Sequence, residues 1–335
     1  MPQAAGSAFA KPLGVRAFSP LLQIAAQFLS IAAFCACALS APECHAFGKA
    51  RKKPYLMAVL GDSISAGSLA DVPIPPGGSP EEKVRKWADA GFKAETVITN
   101  KNTYSWASGT KIQSQYRLLR SWLRKNDPGR GLEVLNMAWP GDQAVDLAPQ
   151  VERVVEAMES GRYESLAYVT LLIGANDACA PGHGTPIPKM HDQLMLALKR
   201  LSSIRQIEPI RVFVVGIPRI PDLGEDAIRN HPTLFGLSCK AVRNDILGFC
   251  NSRLLWSNWD EYGESMQIVE DVNRLLQQVV IEARTQLPSL DLRYTSRLYH
   301  LSIPIDIMAA DCFHPGKKGQ EQLSLEVWKD QPWFN

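Results

Sequence analysis

The sequence predicts an α/β fold in which helices cover both faces of a parallel sheet. Apolar runs typical of strands alternate with stretches of helical spacing over residues 55–328. One run, Leu166–Ile173, shows no polar alternation, which is typical of a strand buried on both faces. The chain has 335 residues, of which 46% are hydrophobic and 21% charged, so it is long and apolar enough for one large domain with a sizeable core.

Residues 1–46 have the layout of a secretory signal peptide and are expected to lie outside the fold. Lys11 and Arg16 precede an apolar stretch at 20–41, and the small residues that follow place cleavage near 41–46. The alternative is an uncleaved signal that anchors the protein, because this stretch is nearly as long as a membrane-spanning helix. The mature protein is expected to be exported (periplasmic, secreted or extracellular), with a basic leader at 47–54 and a single domain at 55–335.

Local patterns predict the individual elements. Strands are expected at Tyr55–Leu60, Leu132–Met137, Leu166–Ile173, Arg211–Ile217 and Leu290–Tyr294, with a weaker strand-like run at Thr96–Asn100. Helices are expected at Glu81–Gly91, Lys111–Asn126, Gln143–Ser160, Met190–Gln206, Tyr262–Arg284 and Lys317–Trp328. The irregular stretch at 219–260 contains two cysteines and predicts a loop-rich insertion held by a disulfide.

Charge and cysteine content narrow the function. The net charge is +2 and no basic stripe with interleaved aromatic residues occurs, which argues against a nucleic-acid partner. Four of the seven cysteines follow the signal region, and an exported chain meets oxidising conditions. Three pairings are possible; the one we expect is Cys239–Cys250, closest in sequence, with Cys179–Cys312. No C-x-x-C or H-x-x-x-H spacing indicates a metal site.

The strand at Tyr55–Leu60 runs into Gly61-Asp62-Ser63, a glycine-bounded turn that can expose a serine hydroxyl. Ser63 is therefore a candidate nucleophile, although a serine that caps the next helix has the same local sequence. A serine needs a base to take its proton, and His314 is the candidate. Asp311 lies three residues before it, a spacing that allows the carboxylate to orient the imidazole. A surface histidine is the competing interpretation.

Two further turns follow predicted strands and bring possible oxyanion donors. The backbone N–H of Gly141, the side-chain amide of Asn176 and the backbone N–H of Ser63 could all point at a developing negative charge. Because the carboxyl ends of parallel strands share one edge of the sheet, the three turns are expected on one rim. The alternatives are a simple turn glycine and a helix cap. The Pro/Gly-rich loop after Ser63, including Pro75, is either a wall of the substrate cleft or a surface insertion.

Taken together and in this order, four blocks resemble the GDSL, or SGNH, hydrolases. They are Gly61-Asp62-Ser63 with Gly67, Asn136 to Gly141, Gly174-Ala175-Asn176-Asp177, and Asp311-Cys312-Phe313-His314. The resemblance covers about residues 55–328. It implies a flavodoxin-like three-layer α/β/α sandwich with strand order 2-1-3-4-5, an acyl-ester site and no metal or organic cofactor.

A narrower resemblance is to the phospholipase B branch of that family. It is carried by Ser105-Trp106 with Gly109, by Val169–Cys179 and by Asp311–Pro315. It implies that Trp106 contacts substrate or packs nearby, and that the substrate is a phospholipid, lysophospholipid or other lipid ester, with transient contact to a membrane or micelle surface. The loop at 219–260 departs from that branch.

The sequence therefore predicts a Ser63-His314-Asp311 serine esterase that forms an acyl-enzyme. Two other functions stay open: a carbohydrate O-acyl esterase on the same fold, and a non-catalytic protein that binds lipid or glycan. The oligomeric state is not predicted.

Overall fold

Five parallel strands form the centre of the molecule, in the order β2-β1-β3-β4-β5. The structure is a computed structural model and describes residues 52–180, 186–302 and 304–334. The strands are β1 (Tyr55–Gly61), β2 (Leu132–Asn136), β3 (Leu166–Leu172), β4 (Ile210–Val215) and β5 (Leu290–Thr295). This order confirms the fold that the family resemblance implied. The predicted signal peptide lies outside the described residues, as does most of the basic leader.

Burial explains why the strands have different compositions. The central strands β1, β3 and β4 are almost completely buried, which requires continuous apolar sequence. The edge strands β2 and β5 keep half-buried positions and tolerate polar residues such as Glu133 and Arg293. In the register, Val59 of β1 pairs with Asn136 of β2, so the two strands end at nearly the same level.

The helices lie between and after the strands. They are α1 (Ser63–Ala66), α2 (Pro80–Gly91), α3 (Ala94–Thr103), α4 (Gln115–Asn126), α5 (Leu147–Glu159), α6 (Ala175–Cys179), α7 (Ile187–Ser202), α8 (Asp226–Arg229), α9 (Asn251–Leu254), α10 (Trp259–Gln286) and α11 (Lys317–Trp328). Four begin where a side chain accepts a free backbone N–H: Asp62 before α1, Ser79 before α2, Ser114 before α4 and Asn258 before α10.

The strand order determines which helices share a layer. Crossovers between parallel strands are right-handed, so the connection from β1 to β2 and those from β2 onward cover opposite faces. Accordingly α4 packs with α11, whereas α5, α7 and α10 pack in succession. The result is the expected three-layer sandwich. No helix in the described parts of the chain is long and apolar enough to cross a membrane.

One local prediction is wrong. The run Thr96–Asn100 lies inside the helix α3 rather than in a strand. Its β-branched residues favour a strand, but the buried positions of α3 are Val97, Asn100 and Lys101, while Ile98 is 52% exposed. Buried positions three and four residues apart lie on one face of a helix, so packing overrides local propensity here.

The insertion at 219–260 contains the short helices α8 and α9, and the predicted disulfides are wrong. Cys239 and Cys250 do not pair with each other; the bonds are Cys179–Cys250 and Cys239–Cys312. The first bond joins the insertion to the end of α6, and the second joins it to the turn between β5 and α11. Proximity in sequence favoured the wrong pairing because each of these two cysteines is bonded to a cysteine outside the insertion.

The buried strand β3 gives a test of the core. Leu171 is 1% exposed on β3, so Leu171→Ala should lower the free energy of unfolding by about 2–5 kcal/mol through lost burial and a cavity. Leu196→Ala removes the same atoms from a side chain that is 51% exposed and should cost less than about 0.5 kcal/mol. Urea denaturation of both variants measures the difference. Equal losses would contradict the assignment of β3 as a central strand.

Candidate active site

The predicted catalytic and oxyanion residues meet at the rim formed by the carboxyl ends of the strands. Ser63 follows β1, Gly141 follows β2, and Asn176 follows β3. His314 comes from the loop between β5 and α11. All four line a single cavity, so the topology brings together residues from across the chain.

Ser63, His314 and Asp311 form one chain of hydrogen bonds. Ser63 Oγ lies 2.9 Å from His314 Nε2, and His314 Nδ1 lies 2.6 Å from Asp311 Oδ2. All three side chains are buried, with Ser63 only 7% exposed. His314 is therefore not the surface histidine of the competing interpretation. In this arrangement a histidine can take the serine proton while the carboxylate stabilises the imidazolium.

Backbone donors fix the carboxylate of Asp311. Its Oδ1 accepts the backbone N–H groups of Phe313 at 3.0 Å and His314 at 3.1 Å, which leaves Oδ2 for the imidazole. One tight turn thus supplies both the acid and the histidine. Both can come from one turn because they are only three residues apart in the sequence.

The turn around Ser63 depends on glycine at Gly61. Its φ of +146° is rare for other residues, and a Cβ there would lie 2.2 Å from the Leu172 carbonyl oxygen. The helix cap is Asp62, whose Oδ1 accepts the N–H of Ile64. Ser63 is therefore the first residue of α1 rather than its cap. Its own N–H has no acceptor among the described residues.

The other two predicted donors surround the same space. Gly141 has a φ of +88° and its N–H has no acceptor within the described parts of the chain. Asn176 Nδ2 donates to the Asp142 carbonyl at 2.9 Å, which orients the amide and uses one of its two hydrogens. Asn176 is not a helix cap, because Gly174 precedes α6 in that position. Three donors can therefore face one oxyanion.

Gln150, a residue that the sequence analysis missed, connects these turns. Its Oε1 accepts the N–H of Gly61 and its Nε2 donates to the Gly61 carbonyl, both at 2.8 Å. Nε2 also donates to Asp142 Oδ2 at 2.6 Å. One side chain on α5 thus joins the strand before Ser63 to the turn that carries Gly141. A glutamine inside a helix gives no sequence signal for this role.

Buried and half-buried ionisable groups surround the oxyanion turns. Burial raises the pKa of Asp62 to about 7 and that of Asp142 to about 6. Burial also lowers the pKa of Lys101 to about 8, and Lys101 Nζ lies 4.7 Å from the centre of the Trp139 ring. Ionisable groups with displaced pKa values are typical of functional sites.

The cavity beside Ser63 is mostly apolar. It has a volume of about 370 Å³ and is lined on its apolar side by Phe92, Trp139, Phe249, Phe313 and the Cys179–Cys250 disulfide. A second, narrow cavity of about 40 Å³ also opens on Ser63 and His314, between Ile220, Leu223 and Met308. The sequence analysis did not identify Phe92 or Phe249 as lining residues, because they come from a helix end and from the insertion.

Two predicted cleft residues lie elsewhere. Trp106 is 0% exposed in the main core, so it packs and cannot contact substrate. Pro75 lines neither cavity at Ser63. The loop after Ser63 instead packs its apolar residues against α2, where Trp87 Nε1 donates to the Val72 carbonyl. Within the described residues, no group of three or more histidine, cysteine or acidic side chains could hold a metal ion.

Asp62 gives a pH-dependent test. Its pKa rises from 3.8 to about 7 on folding, so the folded state binds more protons between those values and its stability falls as pH rises through that interval. Asp62→Asn can keep the cap without the buried charge. The stability of this variant relative to the wild type should rise from pH 4 to pH 8, by roughly 4 kcal/mol. Denaturation at several pH values measures this difference in stability.

The control is Asp89→Asn, on the exposed side of α2. An equal pH dependence in both variants would contradict the raised pKa of Asp62.

A known protein family matches most of the chain. The family model described as GDSL-like Lipase/Acylhydrolase matches residues 57–327, which is most of the chain. No curated protein sequence matches.

Among solved structures, the chain is similar to TesA (16% identity, TM-score 0.41, covering 82% of this chain and 96% of that one). It is also similar to the esterase EstA from Pseudoalteromonas sp. (13%, 0.40, 82% and 94%). A third similar structure is an acetylxylan esterase from Geobacillus stearothermophilus (14%, 0.41, 85% and 98%). These scores are low, so the family assignment rests on the family model. The chain belongs to the GDSL-like lipase/acylhydrolase family.

Proposed function

We propose that this protein is an exported serine esterase that cleaves acyl esters of lipids through an acyl-enzyme on Ser63. Its family establishes the general reaction, hydrolysis of acyl esters. The observation that carries the assignment of residues is the hydrogen-bonded chain from Ser63 Oγ through His314 to Asp311.

In the first half-reaction, Ser63 Oγ attacks the acyl carbonyl and its proton moves to His314 Nε2. The tetrahedral oxyanion accepts hydrogen bonds from the N–H groups of Ser63 and Gly141 and from Asn176 Nδ2. As the intermediate collapses, the C–O bond to the alcohol breaks and His314 returns the proton to the leaving oxygen. The acyl group is then bonded to Ser63.

In the second half-reaction, His314 takes a proton from water, whose oxygen attacks the acyl carbonyl. Collapse of this intermediate breaks the bond to Ser63 Oγ, which takes the proton back, and the carboxylic acid leaves. Asp311 orients His314 throughout. The reaction needs no cofactor beyond these residues and water.

The lining of the cavity supports a lipid substrate. Aromatic rings from Phe92, Phe249 and Phe313 surround the imidazole at 5.0–6.1 Å between ring centroids, next to the open apolar cavity. Burying an acyl chain there contributes roughly 0.8 kcal/mol per CH₂ group. Export is supported by the two disulfides, which persist in oxidising compartments.

Labelling by a fluorophosphonate tests the nucleophile. The wild type should bind one label and hydrolyse p-nitrophenyl esters, and Ser63→Ala should lose both while staying folded. The matched control is Ser68→Ala, which removes a buried hydroxyl five residues away that has no hydrogen-bond partner. Folded wild-type protein that neither labels nor cleaves any ester would identify a binding protein instead.

Asn176→Ala tests the oxyanion site. The variant should lose about 10²–10³-fold in kcat, because one donor to the transition-state charge is gone, while KM changes little. Asn126→Ala, on the exposed end of α4, should leave both constants unchanged. A normal kcat in Asn176→Ala would remove this residue from the mechanism.

A panel of esters tests the lipid assignment. Activity should rise from acetyl to longer acyl chains and extend to lysophospholipid micelles, because the cavity beside Ser63 is apolar. Activity confined to acetyl esters of sugars would contradict the lipid assignment and favour a carbohydrate O-acyl esterase. Initial rates at matched monomer concentrations provide the measurement.

A further inference from the structure

The insertion at 219–260 is bonded to two of the segments that carry polar site residues: α6, which contains Asn176, and the turn with Asp311 and His314. Cys239 is bonded to Cys312, which lies between Asp311 and His314. Cys250 is bonded to Cys179, three residues after Asn176 in α6. The insertion also contributes Phe249 to the cavity wall, 5.7 Å from the His314 ring. It therefore contacts the site at three points.

A buried arginine accompanies each disulfide. Arg243 is 0% exposed and donates through Nη1 to the Leu223 carbonyl at 2.8 Å and to the Cys312 carbonyl at 3.3 Å. Arg253 is 6% exposed and donates through Nε to the Ala178 carbonyl at 2.7 Å. Arg243 thus binds the carbonyl of a disulfide-bonded cysteine, and Arg253 binds the carbonyl of the residue before one.

In the part of the chain that the structure describes, Arg243 is buried without the partners that usually stabilise a buried cation. Among the described residues no carboxylate lies within ion-pair distance of it, and its Nη2 has no hydrogen-bond partner. Burial lowers its pKa to about 10, against the attraction of the Asp311 carboxylate. It lies in a π-helical turn, Ala241–Ile246. This conformation is rare in proteins, and where it occurs it is frequently near a functional site.

Two of the four disulfide-bonded cysteines have strained backbone. Cys312 has a φ of +55° and Cys250 a φ of +51°, both in the left-handed region that non-glycine residues disfavour. Such a conformation persists only where the surroundings impose it. At Cys312 the surroundings include the bond to Cys239 and the hydrogen bond from Arg243. Both act within one residue of Asp311.

We infer that Arg243 is a positioning residue for the proposed ester hydrolysis. Through the Cys312 carbonyl, and together with the Cys239–Cys312 bond, it holds the turn that presents His314 to Ser63. The inference rests on the proposed function of that site. Arg243 contacts neither Ser63 nor the cavity, so it acts only through the position of the turn.

The deciding variant is Arg243→Lys, which keeps a long cationic side chain but cannot reproduce the guanidinium contacts. Its kcat for a p-nitrophenyl ester should fall roughly 10–100-fold with KM within about twofold of the wild type, because misplacement of a catalytic group slows the chemical step. A role in stability alone would lower the melting temperature and leave the kcat of the folded protein unchanged. Lys240→Met removes an exposed cation from the same segment and is the matched control.

Two cysteine backgrounds identify the loop on which Arg243 acts. The loss caused by Arg243→Lys should be larger in the Cys239→Ser/Cys312→Ser protein, where the turn has lost its covalent restraint. In the Cys179→Ser/Cys250→Ser protein it should equal the loss in the wild type, since that bond holds the other loop. Circular dichroism confirms that each protein compared is folded.

A folded Arg243→Lys with wild-type kcat, or an equal effect in both cysteine backgrounds, would overturn the inference. Either result leaves the proposed function intact if the wild type is labelled and active. Failure of the wild type itself to bind fluorophosphonate or to cleave esters refutes the proposed function instead.

Discussion

The hydrogen bond between Ser63 Oγ and His314 Nε2 is the contact on which the site depends. It joins residues 251 positions apart, one at the end of the first strand and one just before the last helix. A bond of 2.9 Å forms only if both turns are held to a fraction of an ångström. The parallel sheet provides the first restraint, since it brings the ends of β1, β2 and β3 to one rim. Side chains outside the reacting set then fix each turn.

These supporting groups are polar and buried, and they are arranged by turn. Gln150 joins the turn of Ser63 to that of Gly141, and the Asp142 carbonyl orients Asn176. Two backbone N–H groups and the insertion hold the turn of Asp311 and His314. Buried polar groups destabilise a fold unless they are hydrogen-bonded. Their concentration behind the rim therefore indicates that precise placement of the site residues comes at a cost in folding stability. The raised pKa values of Asp62 and Asp142 are the electrostatic sign of that cost.

Sequence patterns predict the parts of this structure that depend on local chemistry. Continuous apolar runs identify β1, β3 and β4, and the turns that follow β1, β2 and β3 identify Ser63, Gly141 and Asn176. The pair Asp311 and His314 is predictable because one turn carries both. The disulfides are not, since Cys239 and Cys250 are close in sequence but are bonded to different loops. Gln150, Phe249 and Arg243 were missed for the same reason: their importance comes from contacts across the fold, and nothing in their neighbouring sequence records it.

The most direct test of the account is to trap the acyl-enzyme. Protein is mixed with p-nitrophenyl octanoate and quenched in acid within milliseconds. It is then digested, and the masses of its peptides are measured. The account predicts an octanoyl group on Ser63, in an amount that matches the initial burst of p-nitrophenol and disappears as turnover completes. An octanoyl group on another residue, or wild-type turnover by folded Ser63→Ala, would contradict it.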